Sequence, residues 1–375
     1  MKDNRAEAFD SPSLLGNLLR RLHVDIPLFL GLLMIGGLSF VILYSAGGQE
    51  MQVLIRHASR MGFAIALMIL LAHINPKQLQ TLSPLFFAGC VLLLIAVAVM
   101  GQIGKGAQRW LDLGVFRFQP SEFTKLSAPM MVAWYLAEQS LPPKAKHVGI
   151  AGALLLVPVL LIAKQPDLGT AILVASSGAA VLFFAGLSWW FMAGCGVIGV
   201  ALLPVLWHFM HDYQKKRVLT FINPEADPMG AGYHIIQSKI AIGSGGINGR
   251  GWLGSSQAEL DFLPESSTDF IFAVFAEEFG LFGCVSLLVL YLLVIMRCFY
   301  IAVQAHDTFN RLLAGSLSFT FFVYVFANIG MVIGVLPVVG VPLPLVSYGG
   351  TSMVTLMAGF GILMSIHTHG KKHPV

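Results

Sequence analysis

Two long runs without a charged residue constrain this chain more than any other feature of its sequence. One extends from Leu168 to His211 and the other from Leu312 to Gly370, and neither contains Asp, Glu, Lys or Arg. A helix needs only about 20 apolar residues to cross ~30 Å of hydrocarbon. Each run is therefore long enough to hold two membrane-spanning helices.

The overall composition supports the same conclusion. Hydrophobic residues make up 56% of the chain and charged residues only 11%, whereas soluble globular proteins have about 25% charged residues. These values exclude a soluble enzyme, a protein with a single membrane anchor and a nucleic-acid-binding protein, despite the formal net charge of +4. The four cysteines form no CxxC pair, so neither a zinc site nor a disulfide framework is indicated.

The apolar runs predict an all-α polytopic membrane protein with about ten transmembrane helices and one long extracytoplasmic loop. The predicted spans are 26–45, 56–74, 82–100, 121–138, 148–164, 169–186, 188–209, 270–297, 311–333 and 350–367. The fourth is the weakest, because Pro129 interrupts it. The chain 1–375 is then one integral membrane domain, with a cytoplasmic N-terminal segment 1–24, a large extracytoplasmic loop 210–269 and a cytoplasmic tail 368–375.

The distribution of basic residues bears on orientation. The N-terminal residues before the first apolar run are basic and lack a convincing cleavage site, which favours a retained first span with both termini in the cytoplasm. Lys and Arg are usually enriched in cytoplasmic loops. The predicted outer loops nevertheless contain basic residues, among them Lys105, Arg109, Lys239 and Arg250. They either meet anionic lipid headgroups or form an outward-facing anion site, because cations converging from separate loops would bind a diphosphate.

Carboxylates precede the eighth predicted span. Glu265 and Asp269 approach the membrane, and Asp269 is followed directly by an apolar run. A carboxylate at the outer edge of a span is partly desolvated, which makes it a stronger base than one in free water. The alternative is structural, with Thr268 or Asp269 as the N-cap of the helix. The two roles are compatible.

Other charges at the starts of predicted spans favour pairing. Glu122 and Lys125 lie three residues apart at a helix start, where they can pair on one face. Asp167 begins the sixth span and is expected to pair with Lys164 or with a basic outer loop. Pairing is the default interpretation because an unpaired charge at the centre of a membrane helix costs about 2.5–3.5 kcal/mol.

Glycine and proline mark two irregular segments. In the long loop, an amphipathic stretch, 233–242, suited to the membrane interface precedes the glycine-rich sequence 243–254, which predicts a flexible turn. The segment 334–352 contains three prolines and four glycines among its residues, which indicates either a stretch lining a cavity or an ordinary outer loop. His367, His369 and His373 are expected in a solvated tail.

Six ordered segments together resemble the SEDS family. They are GAQRWLDLG at 106–114, FQPSEFTK at 118–125, QPDLGT at 165–170, GAGYHIIQSKIAIGSGG at 230–246, LPESSTDFIFAV at 263–274 and LPLVSYGG at 343–350. The resemblance covers nearly the whole chain, and the 230–246 segment is similar to the elongation branch of the family. One departure is visible: members commonly have a basic or imidazole pair where this chain has Ser266 and Ser267.

The resemblance implies a peptidoglycan glycosyltransferase of the bacterial cytoplasmic (inner) membrane, which polymerises lipid II during cell elongation and rod-shape maintenance. Asp269 matches the catalytic carboxylate of the family, here the base of an inverting displacement. Arg109 and Trp110 match a functionally sensitive pair. Glu122 and Lys125 match paired charges, with Asp167 as a further supporting charge.

The same resemblance implies how substrate and partners would be bound. Such a reaction needs a counter-charge for the departing diphosphate, which Arg109, with Lys105 and with Lys239 or Arg250, would supply. Glu265 would be a secondary contact in substrate binding. A divalent cation, Mg²⁺ or Mn²⁺, could help to neutralise the diphosphate, although the sequence shows no ligands for it. The implied partners are a class B penicillin-binding protein and other elongation-machinery proteins. A flippase of the lipid-linked precursor is the rival interpretation.

Overall fold

The computed structural model describes residues 23–104, 107–112, 117–201, 204, 207–208, 212–224, 231–260, 262–263 and 265–370. These residues form thirteen α-helices and a small three-stranded sheet. In chain order the elements are α1 Ile26–Ala46, α2 Met51–His73, α3 Pro76–Met100, β1 Gln102–Gly104, β2 Ala107–Asp112, β3 Arg117–Phe118, α4 Pro120–Ala137, α5 Ala145–Lys164, α6 Leu168–Phe184, α7 Trp189–Ala201, α8 Asp212–Ile222, α9 Ala231–Gly245, α10 Ser256–Glu259, α11 Ile271–Val303, α12 Thr308–Val332 and α13 Gly350–Gly370.

The all-α fold class is confirmed, and each predicted span overlaps a helix. Seven helices of the described residues, α1, α2, α3, α5, α11, α12 and α13, are long and apolar enough to cross a membrane. α6 and α7 are apolar but shorter, and α4 carries two charged residues and an internal proline. The number of ten crossings therefore stays a prediction.

Helix starts follow ordinary capping chemistry. The carboxylate of Asp25 accepts the amide of Leu28 at 3.1 Å at the start of α1, and Asp167 accepts the amide of Thr170 at 3.3 Å at the start of α6. Asn75 caps α3, with Pro76 in the first turn. Such caps satisfy backbone amides that have no acceptor within their own helix.

A kink in α11 receives part of the long loop. Gly280 is non-helical, with φ 62° and ψ −161°. The backbone carbonyls of Glu277 and Glu278 accept the amides of Arg250 and Gly251 at 3.0 and 2.9 Å. The amide of Leu281 donates to the carbonyl of Gly246. A Cβ at Gly280 would lie 2.3 Å from the Gly249 nitrogen, so only glycine allows this close approach.

The described part of the long loop contains regular structure. The stretch predicted to be amphipathic forms α9, and the glycine-rich sequence after it forms the predicted turn, with positive φ at Gly246, Gly249 and Gly251. Backbone hydrogen bonds attach this turn to the α11 kink, and its flexibility stays a prediction. A second element that the sequence did not predict is the sheet of the third loop, in which β2 pairs antiparallel with both β1 and β3.

The segment between α12 and α13, residues 333–349, enters the helix bundle. Leu343, Leu345 and Val346 are buried, the carbonyl of Pro344 accepts the hydroxyl of Tyr291 at 2.6 Å, and the carbonyl of Val341 accepts the Asn328 amide. Irregular backbone at membrane depth requires such internal partners. This segment is therefore not an ordinary surface loop, whereas its predicted role in lining a cavity stays a prediction.

α13 packs along α2, and the two helices run in the same direction. A Cβ at Gly350 would meet Arg60, one at Gly361 would meet Met68, and the hydroxyl of Ser365 donates to the carbonyl of Ile74. We call the end of the bundle that carries Ala46 and Asp269 the Asp269 end, and the other end, where α13 finishes, the histidine end.

The histidine end corrects one sequence-based prediction. His367 and His369 belong to α13, which extends to Gly370, so they do not lie in a solvated tail. His367 is buried, and its Nε2 lies 3.2 Å from Oδ2 of Asp25, which also receives Arg297. The apolar residues of α13 extend to its last turn. The carboxylate partner of His367, Asp25, comes from a distant part of the sequence. His373 and residues 1–22 lie outside the described residues.

Candidate active site

Asp269 lies in a tight turn directly before α11. The backbone carbonyl of Glu265 accepts the amides of Thr268 and Phe270 at 3.0 and 3.3 Å, and Glu265 itself has a positive φ of 59°. The N-cap of α11 is Phe270, which makes no side-chain capping bond. The structural alternative for Thr268 or Asp269 as N-cap is therefore wrong, because the turn places both residues before the cap position.

The 333–349 segment holds this turn in place. Tyr348 donates its amide to the carbonyl of Ser267 at 2.8 Å, and the Ser347 hydroxyl donates to the carbonyl of Thr268 at 2.6 Å. The side-chain amide of Asn328 donates to the carbonyl of Asp269 at 2.9 Å. Asn328, Ser347 and Tyr348 were not predicted as site residues, because their partners are brought to them only by the tertiary fold.

Backbone of the same segment approaches the carboxylate of Asp269. A Cβ at Gly340 would lie 3.6 Å from Oδ2 of Asp269, and Gly340 has a φ of 73°, which favours glycine. Next to it, the carbonyl of Val339 would lie 2.6 Å from a Cβ at Gly169 near the start of α6. Residues 339–340 therefore bridge the start of α6 and the Asp269 turn.

Glu265 and His234 form the other side of the turn. The hydroxyl of Thr268 donates to the Glu265 carboxylate at 2.7 Å. The His234 ring, from α9, stacks on Phe270 with a centroid separation of 5.7 Å. Burial lowers the pKa of His234, and the nearby negative charge of Glu265 only partly opposes this effect. His234 was not predicted as a site residue.

The side chain of Arg109 is bound by other residues of this protein. Its guanidinium donates to the carbonyls of Gln165 and Pro166 and lies 3.9 Å from the Asp167 carboxylate. The second sequence-based alternative for Asp167, pairing with a basic outer loop, is thereby confirmed. Asp167 also accepts the side-chain amide of Gln119 at 3.0 Å. Arg109 thus joins β2 to the start of α6, and Trp110 follows it in β2, opposite Gln102.

Glu122 and Lys125 form the predicted ion pair. Nζ of Lys125 lies 2.6 Å from Oε1 of Glu122, and both residues are 5% exposed. Nζ also lies 5.0 Å from the ring centroid of Tyr324 in α12, and Tyr324 is hydrogen-bonded to Ser352 in the first turn of α13. The pair therefore lies inside the bundle, beside the start of α13.

The remaining predicted cations are dispersed. Arg250 pairs with Glu277 of α11 at 3.2 Å, and Glu277, which is fully buried, also accepts the hydroxyls of Ser255 and Ser256. The stem of Lys239 covers Gly334, where a Cβ would lie 2.3 Å from Cε. Lys105 lies outside the described residues. The structure therefore does not bring Arg109, Lys239 and Arg250 together as one anion site.

A divalent cation would need ligands that the described part of the chain does not gather. Within the described ranges, no group of three or more His, Cys, Asp or Glu residues could hold a metal ion. The described residues therefore do not fit a metal site built from protein ligands alone. A cation bound chiefly by substrate phosphates would need fewer protein ligands.

The sequence matches one known family along almost its whole length. A family model described as the cell cycle protein family FtsW/RodA/SpoVE matches residues 18–372. The chain belongs to the FtsW/RodA/SpoVE family. It is 53% identical over 352 residues to the peptidoglycan glycosyltransferase MrdB of Escherichia coli K12, covering 94% of this chain and 95% of that protein. It is 31% identical to the peptidoglycan glycosyltransferase RodA of Treponema pallidum, covering 92% and 97%.

Solved structures of this family share the fold. A chain of a peptidoglycan synthase complex, whose structure concerns the coordination of polymerization and crosslinking, superimposes with a TM-score of 0.79 at 34% identity, covering 92% of this chain and 97% of that chain. The rod shape determining protein RodA of Thermus thermophilus superimposes with a TM-score of 0.70 at 29% identity, covering 92% and 96%. The FtsW/RodA/SpoVE assignment therefore holds in both sequence and structure.

Proposed function

We propose that this chain is a peptidoglycan glycosyltransferase that polymerises lipid II into glycan strands during cell elongation and rod-shape maintenance. The close relationship to MrdB over almost the whole length of both chains supports this activity. The observation that carries the mechanism is the placement of Asp269 in a turn whose backbone carbonyls accept three hydrogen bonds, from the side chains of Asn328 and Ser347 and from the amide of Tyr348. A rigid turn keeps the carboxylate in one position, as a general base requires.

The proposed reaction is an inverting displacement. The 4-hydroxyl of an acceptor sugar attacks the anomeric carbon of a polyprenyl-diphosphate-linked sugar, and its proton passes to the Asp269 carboxylate. The new glycosidic bond forms as the bond between the anomeric carbon and the diphosphate breaks. Glu265, within the same turn, is a secondary contact for the acceptor. A divalent cation such as Mg²⁺ or Mn²⁺ would help to neutralise the departing diphosphate when bound.

We further propose the setting of this reaction. The protein lies in the bacterial inner membrane with both termini in the cytoplasm, so that the Asp269 end faces outward, where lipid II and the growing strand meet. Its partner is a class B penicillin-binding protein that crosslinks the product, together with other elongation-machinery proteins. The similarity to a chain of a peptidoglycan synthase complex supports this partner class.

A reconstitution experiment tests the activity against the rival flippase. Purified protein with its transpeptidase partner is given lipid-linked precursor in detergent, where no second compartment exists. Glycan polymer that disappears with Asp269→Asn is the expected result. Lack of polymer, together with movement of the precursor between the leaflets of vesicles, would support the flippase instead.

A further inference from the structure

The glycine-rich turn of the long loop, residues 246–252, lies against the sides of two helices. The backbone carbonyl of Ile247 accepts the amide of Phe282 in α11 at 3.2 Å. The indole N–H of Trp252 donates to the carbonyl of Val41 in α1 at 3.1 Å. Both helices are long and apolar enough to cross a membrane. The turn is therefore attached along the length of two membrane-spanning helices and not beyond their ends.

The contact with α1 lies below the end of that helix. α1 has 21 residues, so at ~1.5 Å per residue it is roughly 31 Å long, close to the ~30 Å of hydrocarbon in a bilayer. Val41 precedes the last residue, Ala46, by five positions, which places its carbonyl roughly 7 Å from the helix end. The indole of Trp252 thus reaches the level of the apolar part of α1.

The apolar side chains of the turn are exposed beside these helices. Ile247 is 62% exposed and Trp252 is 51% exposed. Phe282, which is joined to Ile247 by the backbone hydrogen bond, is 67% exposed on α11. Large exposed apolar surfaces mark sites of contact with a membrane or another protein. The apolar surface of α11 therefore continues from Phe282 onto the turn.

The polar groups of the turn limit how deep it can lie. Asn248 and Arg250 are both exposed, and a charged side chain is costly within the hydrocarbon. The ring of Trp252 lies 6.0 Å from that of Tyr44 in α1. Trp and Tyr side chains are enriched at the membrane interface, because they combine an apolar ring with a polar atom. The composition of the turn thus suits the interface and not the centre of the bilayer.

We propose that the glycine-rich turn is embedded in the membrane interface at the Asp269 end. Its apolar side chains, Ile247 and Trp252, lie among phospholipid acyl chains, and its polar side chains lie among the headgroups. The partner of this surface is the lipid bilayer itself. This part of the long loop then lies within the membrane interface and not in the aqueous compartment. The inference does not depend on the proposed activity.

The embedded turn also sets the level of Asp269 in the membrane. The carbonyl of Ala46, at the end of α1, accepts the hydroxyl of Ser266 at 3.0 Å. The turn that contains Asp269 is therefore attached to the end of α1, roughly 7 Å beyond the level of Val41. With Trp252 at the interface, Asp269 lies at the level of the headgroups or just outside them.

Nitroxide labels on introduced cysteines distinguish lipid from water at single positions. Ile247→Cys, Asn248→Cys and Phe282→Cys are labelled in a cysteine-free full-length protein, in vesicles of phosphatidylethanolamine and phosphatidylglycerol. The label at position 247 should collide several-fold more often with O₂, which concentrates in hydrocarbon, than with a water-soluble nickel chelate. Phe282→Cys is the lipid-facing reference. At position 248, the matched neighbour, the nickel chelate should be the more frequent collision partner.

Fluorescence quenching tests Trp252 without a label. Phospholipids brominated close to the headgroup should quench the parent protein more than they quench Trp252→Phe. Phospholipids brominated at the ends of the acyl chains should show a smaller difference between the two proteins, because the indole lies near the interface. Equal quenching of both proteins by both lipids would contradict the placement of Trp252.

Two results at position 247 would overturn the proposal. A preference for the nickel chelate would place the turn in water. Infrequent collision with both reagents would show that protein covers it, either a second copy of this chain or, when present, a helix of a partner. Position 247 is exposed, so its label decides the question even if Trp252→Phe does not fold. None of these measurements involves glycan synthesis, so their outcome is separate from that of the proposed activity.

Discussion

Lys125 and Glu122 are joined within the helix bundle, where Nζ lies 2.6 Å from Oε1 and both side chains are buried. The second carboxylate oxygen of Glu122 has no hydrogen-bond partner among the described residues. The ring of Tyr324 provides a further contact for the ammonium. Lys125 therefore has one more contact than Glu122 within the pair.

This asymmetry makes a prediction about charge variants. Glu122→Gln or Lys125→Met leaves one buried charge unpaired, which costs about 3–5 kcal/mol, so the folded yield and the thermal midpoint should fall sharply. The double variant Glu122→Lys with Lys125→Glu restores the pair but loses the contact of Lys125 with Tyr324. We expect it to recover much of the yield. Recovery of folding without recovery of glycan synthesis would mean that one of the two residues contacts substrate.

For Asp269, the expected effect is on rate and not on stability. Asp269→Asn retains the size of the side chain and the bond that the backbone carbonyl accepts from Asn328, whereas an amide cannot accept the proton. Glycan synthesis should fall by about 10²–10⁴-fold, with an unchanged thermal midpoint. Glu265→Gln should have a milder effect. Near-normal synthesis by the Asn variant at matched protein and lipid concentrations would remove Asp269 from its proposed role.

Arg109 is expected to act as a positioning residue. Arg109→Lys preserves the charge but loses the fork that reaches Gln165 and Pro166, so β2 should detach from the start of α6. Amide hydrogen exchange in residues 107–112 should accelerate, while the affinity for undecaprenyl diphosphate should stay the same. Asp167→Asn is the matched control, because Asn retains the cap of α6. Weakened diphosphate binding in Arg109→Lys would return Arg109 to the substrate-binding residues.

His234 should make stability depend on pH in a defined direction. Burial lowers its pKa below the usual 6.5, so the folded state binds a proton less readily than the unfolded state. The stabilising contribution is complete above pH 6.5 and is lost as the pH falls below that value. The thermal midpoint of the parent should therefore fall more than that of His234→Gln between pH 7.5 and pH 5.5. Parallel curves for both proteins would contradict this assignment.

Orientation is testable with single cysteines in a cysteine-free background. A cysteine at Ser255, in the long loop, would not be accessible to a reagent, because Ser255 is buried against Glu277. Asn248 in the glycine-rich turn and Lys144 before α5 are exposed. Asn248→Cys should react with an impermeant thiol reagent in intact cells. Lys144→Cys should react only after permeabilisation. The reverse pattern would show that the Asp269 end faces the cytoplasm.

The long apolar helices of this protein could be located from its sequence, whereas the small sheet of the third loop could not. Each apolar run is long enough for a helix to cross a bilayer, so the runs located the helices. The three-residue spacing of Glu122 and Lys125 predicted their pairing, because it depends only on neighbouring residues of one helix. Asp269 was identified through resemblance to a family motif. Which distant groups meet depends on the tertiary structure. It paired Arg109 with Asp167 and Arg250 with Glu277, buried His367 against Asp25, and placed Arg60 beside the start of α13. These contacts depend on how helices pack and where irregular segments enter the bundle, and sequence spacing carries no information on either.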